Sequence, residues 1–254
     1  MWGALLITTL AGLSTGLGGL VTLVKKPTDR LLALSMGFAG GVMLTVSLAD
    51  MLPGALQYYL AAFPPLPAGL ALVSLLAMGM VVAALLARCL PEDRAFAGAA
   101  DGRRAAALRS ALVTGMALLL HNLPEGVLTL FTGVADPKLG LRMALAIALH
   151  NLPEGIAVAV PLFYATGSRA KAALAALASG LAEPAGALLA FAFFHERLNQ
   201  GFLNGLLVLV AGIMSWVSIS ELIPGSLGFG HKGAGVLGFA LGICLMMLGI
   251  ACLS

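Results

Sequence analysis

Charge is scarce in this chain of 254 residues: Asp, Glu, Lys and Arg make up only 10% of it, against 60% hydrophobic residues. A soluble globular domain carries about 25% charged residues, so that class is excluded. Cysteine is scarce too, with Cys89 at a helix end and Cys244 and Cys252 in the last apolar stretch. No pair has the spacing of a disulfide framework or of a thiolate metal site. The basic residues are few and dispersed, which excludes a nucleic-acid footprint. The first apolar stretch has no basic leader and no small-residue cleavage site before Lys25-Lys26, so it is expected to be a retained helix.

What the chain has in quantity is apolar runs. They fall at about 1–24, 31–60, 67–90, 106–134, 140–164, 169–194, 202–225 and 232–253, each near or above the ~20 residues that a spanning helix needs. The expected fold is an all-α integral membrane protein of eight transmembrane helices, forming one domain over residues 1–254. The connections after helices one, three, five and seven collect Lys25, Lys26, Arg30, Arg88, Arg94, Arg103, Arg104, Arg109, Arg169, Lys171 and Lys232, and the opposite side only Lys138, Arg142 and Arg197. Because basic residues are retained in the cytoplasm, this asymmetry places both termini outside it. The longest polar connection, 91–105, is expected to be mobile, and His195 and His231 to be solvated.

The acids are distributed differently. Asp50, Glu125, Glu154, Glu183 and Glu221 fall within or at the ends of apolar spans, and no Lys or Arg is expected at comparable depth. A carboxylate in a low-dielectric core must be compensated, so the missing positive charge is a proton or a metal ion.

Two of these acids belong to an exact repeat: His121-Asn122-Leu123-Pro124-Glu125-Gly126 returns as His150-Asn151-Leu152-Pro153-Glu154-Gly155. Residues four apart share a helix face, so each His stands with its Glu. The motifs are centred near residues 123 and 152, and an antiparallel pair turning at Asp136-Pro137-Lys138 holds them at one depth. Each lies ~20 Å of helix from that turn, near the middle of a hydrocarbon core ~30 Å thick. Two imidazoles and two carboxylates can meet there. Pro124 and Pro153 free the carbonyls of Leu120 and Leu149 and are expected to kink both helices. Gly126 and Gly155 leave room for a neighbouring helix, and Asn122 and Asn151 add carbonyl donors. The competing reading is a pair of structural proline kinks whose His and Glu hydrogen-bond across the helices; exact duplication of four potential ligands speaks against it.

The paired hexapeptides resemble the ZIP family of divalent-metal transporters. Gly37-Phe38-Ala39-Gly40-Gly41-Val42-Met43-Leu44, Asp50-Met51-Leu52-Pro53, Ser179-Gly180-Leu181-Ala182-Glu183 and Ser220-Glu221-Leu222-Ile223-Pro224 extend the resemblance over essentially the whole chain. It implies an eight-helix fold with outside termini, and a transport site at His121, Asn122, Glu125, His150, Asn151 and Glu154, with Glu183 completing a two-metal centre. Met43 matches a family position lining the pathway. Alternating access, with motion of one helix bundle against another, is also implied.

Two features depart from the family pattern. The 91–105 connection has no histidine, which puts metal sensing or storage there in doubt, and Pro184 is expected to kink helix six and displace Glu183. For Asp50 and Glu221, before Leu-Pro at helix ends, capping or interfacial solvation competes with a role in metal entry or exit.

The expected function is uptake of a divalent metal, chiefly zinc and also iron, manganese, cobalt or cadmium, across the inner membrane into the cytoplasm. The metal is cargo, no cofactor is expected, and the protein is not an enzyme. Its partners are the metal ions, the lipid bilayer and, as a homodimer to be tested, a second copy of the chain. The alternatives are an intramembrane zinc metallohydrolase, in which fixed zinc activates water, and a proton-coupled carrier whose acids only relay protons.

Overall fold

The computed structural model describes residues 1–24, 27–90, 102–194 and 199–253. Residues 91–101 of the polar connection, His195, and the basic residues Lys25, Lys26, Arg94 and Arg197 lie outside them. Among the described residues there are eight helices long and apolar enough to cross a bilayer. They are α1 (Trp2–Leu23), α2 (Asp29–Ala62), α3 (Pro65–Cys89), α4 (Gly102–Ala135), α5 (Pro137–Thr166), α6 (Arg169–Phe193), α7 (Gln200–Gly228) and α8 (Lys232–Cys252). We call the end formed by the connections after α1, α3, α5 and α7 the basic end; the other carries both termini.

Short polar side chains start the helices where the sequence changes from loop to apolar run. Thr28 accepts from Leu31 N at 3.1 Å, and Asn199 from Phe202 N at 2.9 Å. Asp136 accepts from Lys138 N at 2.8 Å and from Leu139 N at 3.2 Å, with Pro137 at the first helical position, where no amide proton is needed. Gly167, at φ +68°, closes α5 in a conformation that only glycine adopts freely.

Side chains facing outward are apolar, including Trp2, Leu66, Val73, Phe193 and Leu248, while the buried polar residues lie inside. That inversion is what a helix bundle in lipid requires. The helices form two groups. In one, α2 packs on α8 and α3 on α7 through glycine: a Cβ on Gly41 would meet the Phe239 carbonyl at 2.3 Å, and one on Gly79 the Leu209 carbonyl at 2.0 Å. In the other, α1, α4, α5 and α6 pack together in the same manner. Between the groups the contact is made by side chains, with Met36, Met43 and Met214 packed in one cluster with Leu118 and Val158.

Four helices are irregular; the first of them, α1, is interrupted at Leu20, between Trp2–Gly19 and Val21–Val24. In α2 and α7 the turn widens over Val46–Met51 and Ser218–Leu222, just before Pro53 and Pro224. The wide turn accommodates the missing amide and the proline ring. Asp50 and Glu221 occupy these turns, so neither is at a helix end, and the segments that follow have no side-chain cap. The capping reading is therefore withdrawn. Helix α6 breaks at Leu181, between Arg169–Gly180 and Ala182–Phe194. Pro184 falls in the first turn of the second segment, where it costs no hydrogen bond. It does not displace Glu183, which is fully buried.

Candidate metal-transport site

Both hexapeptides lie inside unbroken helical spans, α4 through Pro124 and α5 through Pro153. The antiparallel pair turns at Asp136-Pro137 and brings the motifs together in crossed register. His121 Nε2 donates to Glu154 Oε1 at 3.1 Å, and His150 Nε2 lies 3.3 Å from Glu125 Oε1, outside hydrogen-bonding alignment. His121, Asn122, Glu125, Asn151, Glu154 and Glu183 are all at most 1% exposed, and His150 is 3% exposed.

The motif glycines permit this burial. A Cβ on Gly126 would stand 1.8 Å from the backbone oxygen of Glu183, and one on Gly155 would stand 1.8 Å from that of Thr15. Helices α6 and α1 therefore press directly against the motifs, as the sequence anticipated for small residues here.

The asparagines are oriented by backbone. Asn122 Nδ2 donates to the Ser179 carbonyl at 2.9 Å, and Asn151 Nδ2 to the Ala11 carbonyl at 3.0 Å as well as to the Glu183 carboxylate. With both amide nitrogens held, each Oδ1 is turned away, and neither has a hydrogen-bond partner within the protein. The same holds for His121 Nδ1, both Glu125 oxygens, Glu154 Oε2 and Glu183 Oε2. Buried acceptors without donors cost about 1–3 kcal/mol each, and native interiors hold few of them. Here they fall on the two hexapeptides and on Glu183, which Asn151 contacts, and all are groups that can donate to a metal.

The arrangement corrects one expectation. Among the described residues, no three or more His, Cys, Asp or Glu side chains are gathered as a metal-holding group. The two imidazoles and two carboxylates meet as two crossed pairs, because each buried carboxylate takes the nearest donor.

The outlying candidates are placed as follows. Met43 is fully buried between the groups, with Ala117 of α4 and Ala157 of α5 in its cluster. Asp50 is exposed in a cleft of about 300 Å3 towards the termini end, which Arg142, Met143 and Met246 also line. Glu221 is near the basic end, 3.2 Å from Arg109. The expectation that no basic residue shares the depth of these acids fails for Glu221, which has Arg109, and for Asp50, whose cleft holds Arg142. It stands for the central three, Glu125, Glu154 and Glu183, in the contacts seen, where the partners are imidazole and amide.

Sequence reasoning missed α1. Its Ala11 carbonyl holds Asn151, and Thr15 is buried with an unpartnered hydroxyl. The available signal was the run of small residues Ala11-Gly12 and Ser14-Thr15-Gly16, with Gly18-Gly19 after it, which marks a close helix contact.

A eight-helix membrane fold with paired His-Asn-Leu-Pro-Glu-Gly motifs facing each other defines an ion-transport protein. The family model described as ZIP Zinc transporter matches residues 97–251. A protein of Akkermansia muciniphila named Zinc transporter ZupT is 41% identical over 96% of this chain and 94% of its own length. Proteins of the same name from Corynebacterium efficiens and Chlorobium phaeovibrioides are 38% and 37% identical, covering 96% and 100% of this chain and 94% and 99% of their own. The chain belongs to the ZIP family.

Proposed function

We propose that the facing hexapeptides are the transport site through which this divalent-metal uptake transporter carries zinc, and also ferrous iron, manganese, cobalt or cadmium, into the cytoplasm. The protein is not an enzyme, and the comparisons give no support to the metallohydrolase reading. The observation that carries the site assignment is that the buried nitrogen and oxygen acceptors on His121, Asn122, Glu125, Asn151, Glu154 and Glu183 are without partners within the protein. His150 completes the set.

A metal entering the site must take His121 from Glu154 and His150 from Glu125. Imidazole and carboxylate ligate only when deprotonated, so metal entry expels the protons that the pairs hold. Two such pairs, with Glu183 held by Asn151 at one side, have donors enough for a two-metal centre. Met43 lies on the pathway, with Asp50 on the entry side and Glu221 on the exit side. The whole of 1–254 acts as one transmembrane domain in the inner membrane, with the basic end in the cytoplasm and both termini in the periplasm. A second copy of the chain is the partner to test by crosslinking.

The two helix groups support alternating access. Their glycine-lined internal contacts make each group one unit, and the side-chain contact between them is the surface that can slide. The test is zinc uptake into proteoliposomes under imposed pH gradients. Glu125→Ala and Glu154→Ala are expected to abolish uptake while the protein still elutes as a folded species in detergent. Normal uptake by both variants would refute the site.

A further inference from the structure

The buried polar groups outside the site are not scattered. Arg109 of α4 stands about two turns into the span from Gly102 and is only 27% exposed at its side chain; Glu221, in the wide turn of α7, is 10% exposed. Arg109 Nη1 donates to both Glu221 oxygens, at 3.2 and 3.4 Å, and Nη2 reaches the Ala87 carbonyl in the last turn of α3 at 3.5 Å. One guanidinium thus ties α4, in the group that holds the site, to α7 and α3 in the other.

A second tie lies at the same end. Asp29, the first residue of α2, accepts from Arg103 Nη1 of α4 at 2.7 Å and from the Tyr164 hydroxyl of α5 at 2.6 Å. Both ties join the groups at the basic end, whereas the cleft that contains Asp50 lies towards the termini end. The basic end also has a cleft between the groups, of about 170 Å3, but its lining is apolar apart from Ser35, with Leu31, Phe38, Ile156 and Leu241, whereas the charged ties lie on α3, α4 and α7 and at the start of α2.

Between Arg109 and the site, α4 and α7 carry further polar groups. Thr114 of α4 and Ser215 of α7 lie deeper in the span than Arg109 and Glu221, both are buried, and neither hydroxyl has a partner within the protein. At 1.5 Å per residue they are each ~8 Å from the ion pair along their helices, and Thr114 is ~10 Å from His121. Helices α4 and α7 pack against each other, and Thr114, seven residues from His121, shares its face of α4, so a cation leaving His121 for the basic end would pass the depth of these hydroxyls before that of the Glu221 carboxylate. That carboxylate already holds a cation.

We propose that Arg109 is a tethered cation that latches the exit: it occupies Glu221 while the opposite end is open, and must leave before metal can pass from Thr114 and Ser215 to the cytoplasm. The proposal rests on the transport-site reading for the origin of the metal. Its chemistry is competition, since a guanidinium bound to both carboxylate oxygens and a divalent ion cannot use Glu221 together. Arg109 is a positioning residue here, and its removal should alter which end is open without altering metal binding at the centre.

The experiment uses the full-length protein with Cys89, Cys244 and Cys252, all free and exposed, replaced by serine, and Ser215→Cys as reporter. A membrane-impermeant thiol reagent is applied to inside-out vesicles, and zinc binding to the purified variants is measured by equilibrium dialysis. Arg109→Gln and Glu221→Gln should each raise the labelling rate about tenfold, equivalent to about 1.4 kcal/mol in the opening equilibrium. Arg109→Lys, which keeps the charge but not the fork, should fall between them and the parent. The exchanged pair Arg109→Glu with Glu221→Arg should return labelling towards the parent rate. Zinc binding should persist in Arg109→Gln and be lost in Glu125→Ala. Unchanged labelling in both single Gln variants would overturn the latch, as would an exchanged pair that labels as fast as they do. Zinc binding that survives Glu125→Ala would instead overturn the transport-site reading and leave the labelling result to decide the latch.

Discussion

At the scale of single residues, the site is defined by which donor each side chain brings. Imidazole favours zinc and its neighbours, whereas carboxylate and amide oxygen also accept manganese. His121→Asp removes the softer donor and adds a hard one opposite Glu154, so zinc should weaken relative to manganese. Competitive uptake from a mixture of the two metals measures this: a zinc-to-manganese ratio that is unchanged or higher in the variant would show that His121 is not a ligand. Protons compete with metal at every one of these groups, and the sign follows directly. Acid favours the protonated, non-ligating forms, so affinity should fall as pH drops from about 7.5 to about 5.5, a range that brackets the ordinary His pKa of about 6.5. Zinc titrations that give one flat affinity over that range would exclude this ligand set. The ligand types, their helical spacing and their common depth were legible in the hexapeptides, because a four-residue step on a helix is a fixed geometry. Their crossed pairing entered only through the competing reading, in which His and Glu hydrogen-bond across the helices; the sequence could not choose it, since it depends on how α4 and α5 rotate about their axes, which no local pattern encodes. Arg109 was misread for a related reason: lying near the start of the 106–134 run, it was counted with the basic residues of the connection, whereas the helix starts at Gly102 and carries it inside.

At the scale of elements, the eight spans were legible almost to their ends; the seventh was expected over 202–225 and runs Gln200–Gly228. The requirement for ~20 apolar residues leaves little freedom. The departures are internal to helices: the wide turns before Pro53 and Pro224 and the breaks at Leu20 and Leu181. A proline signals a lost hydrogen bond, but whether the chain kinks, widens or breaks is decided by the neighbours. Glycine packing can be tested at this scale. Gly126→Ala would drive a methyl group to 1.8 Å from the Glu183 carbonyl oxygen, whereas at Gly115, also in α4, the added Cβ would meet only Val158, at 3.7 Å. Overpacking of a buried contact typically costs about 1–3 kcal/mol, and here the obstacle is backbone, so the cost should be at or above the upper end. Gly126→Ala should lower the temperature of half-loss of the monodisperse peak in detergent and abolish zinc uptake, while Gly115→Ala stays close to the parent. Equal behaviour of the two variants would show that α6 does not depend on this contact.

At the scale of the whole molecule, the ends of the bundle differ in charge, and that difference should set its orientation. By their order in the sequence, eleven basic residues belong to connections of one side and three to the other, an imbalance that would retain the basic end in the cytoplasm. The same end carries the Arg109–Glu221 and Arg103–Asp29 ties, so in this orientation its charges would act twice, in setting the topology and in bridging the two helix groups. Two native cysteines report on the orientation without any added tag. Cys89 closes α3 at the basic end, Cys252 lies at the far end of α8, and both are exposed. A membrane-impermeant maleimide added to spheroplasts should therefore label Cys252 and spare Cys89, and added to inside-out vesicles it should do the reverse. Each site is read in a variant in which the other two cysteines are serine, which removes the signal of Cys244 within α8. Labelling of Cys89 from the periplasmic side would invert the topology. Uptake would then have to run from the basic end, with the Arg109 latch on the side where metal enters.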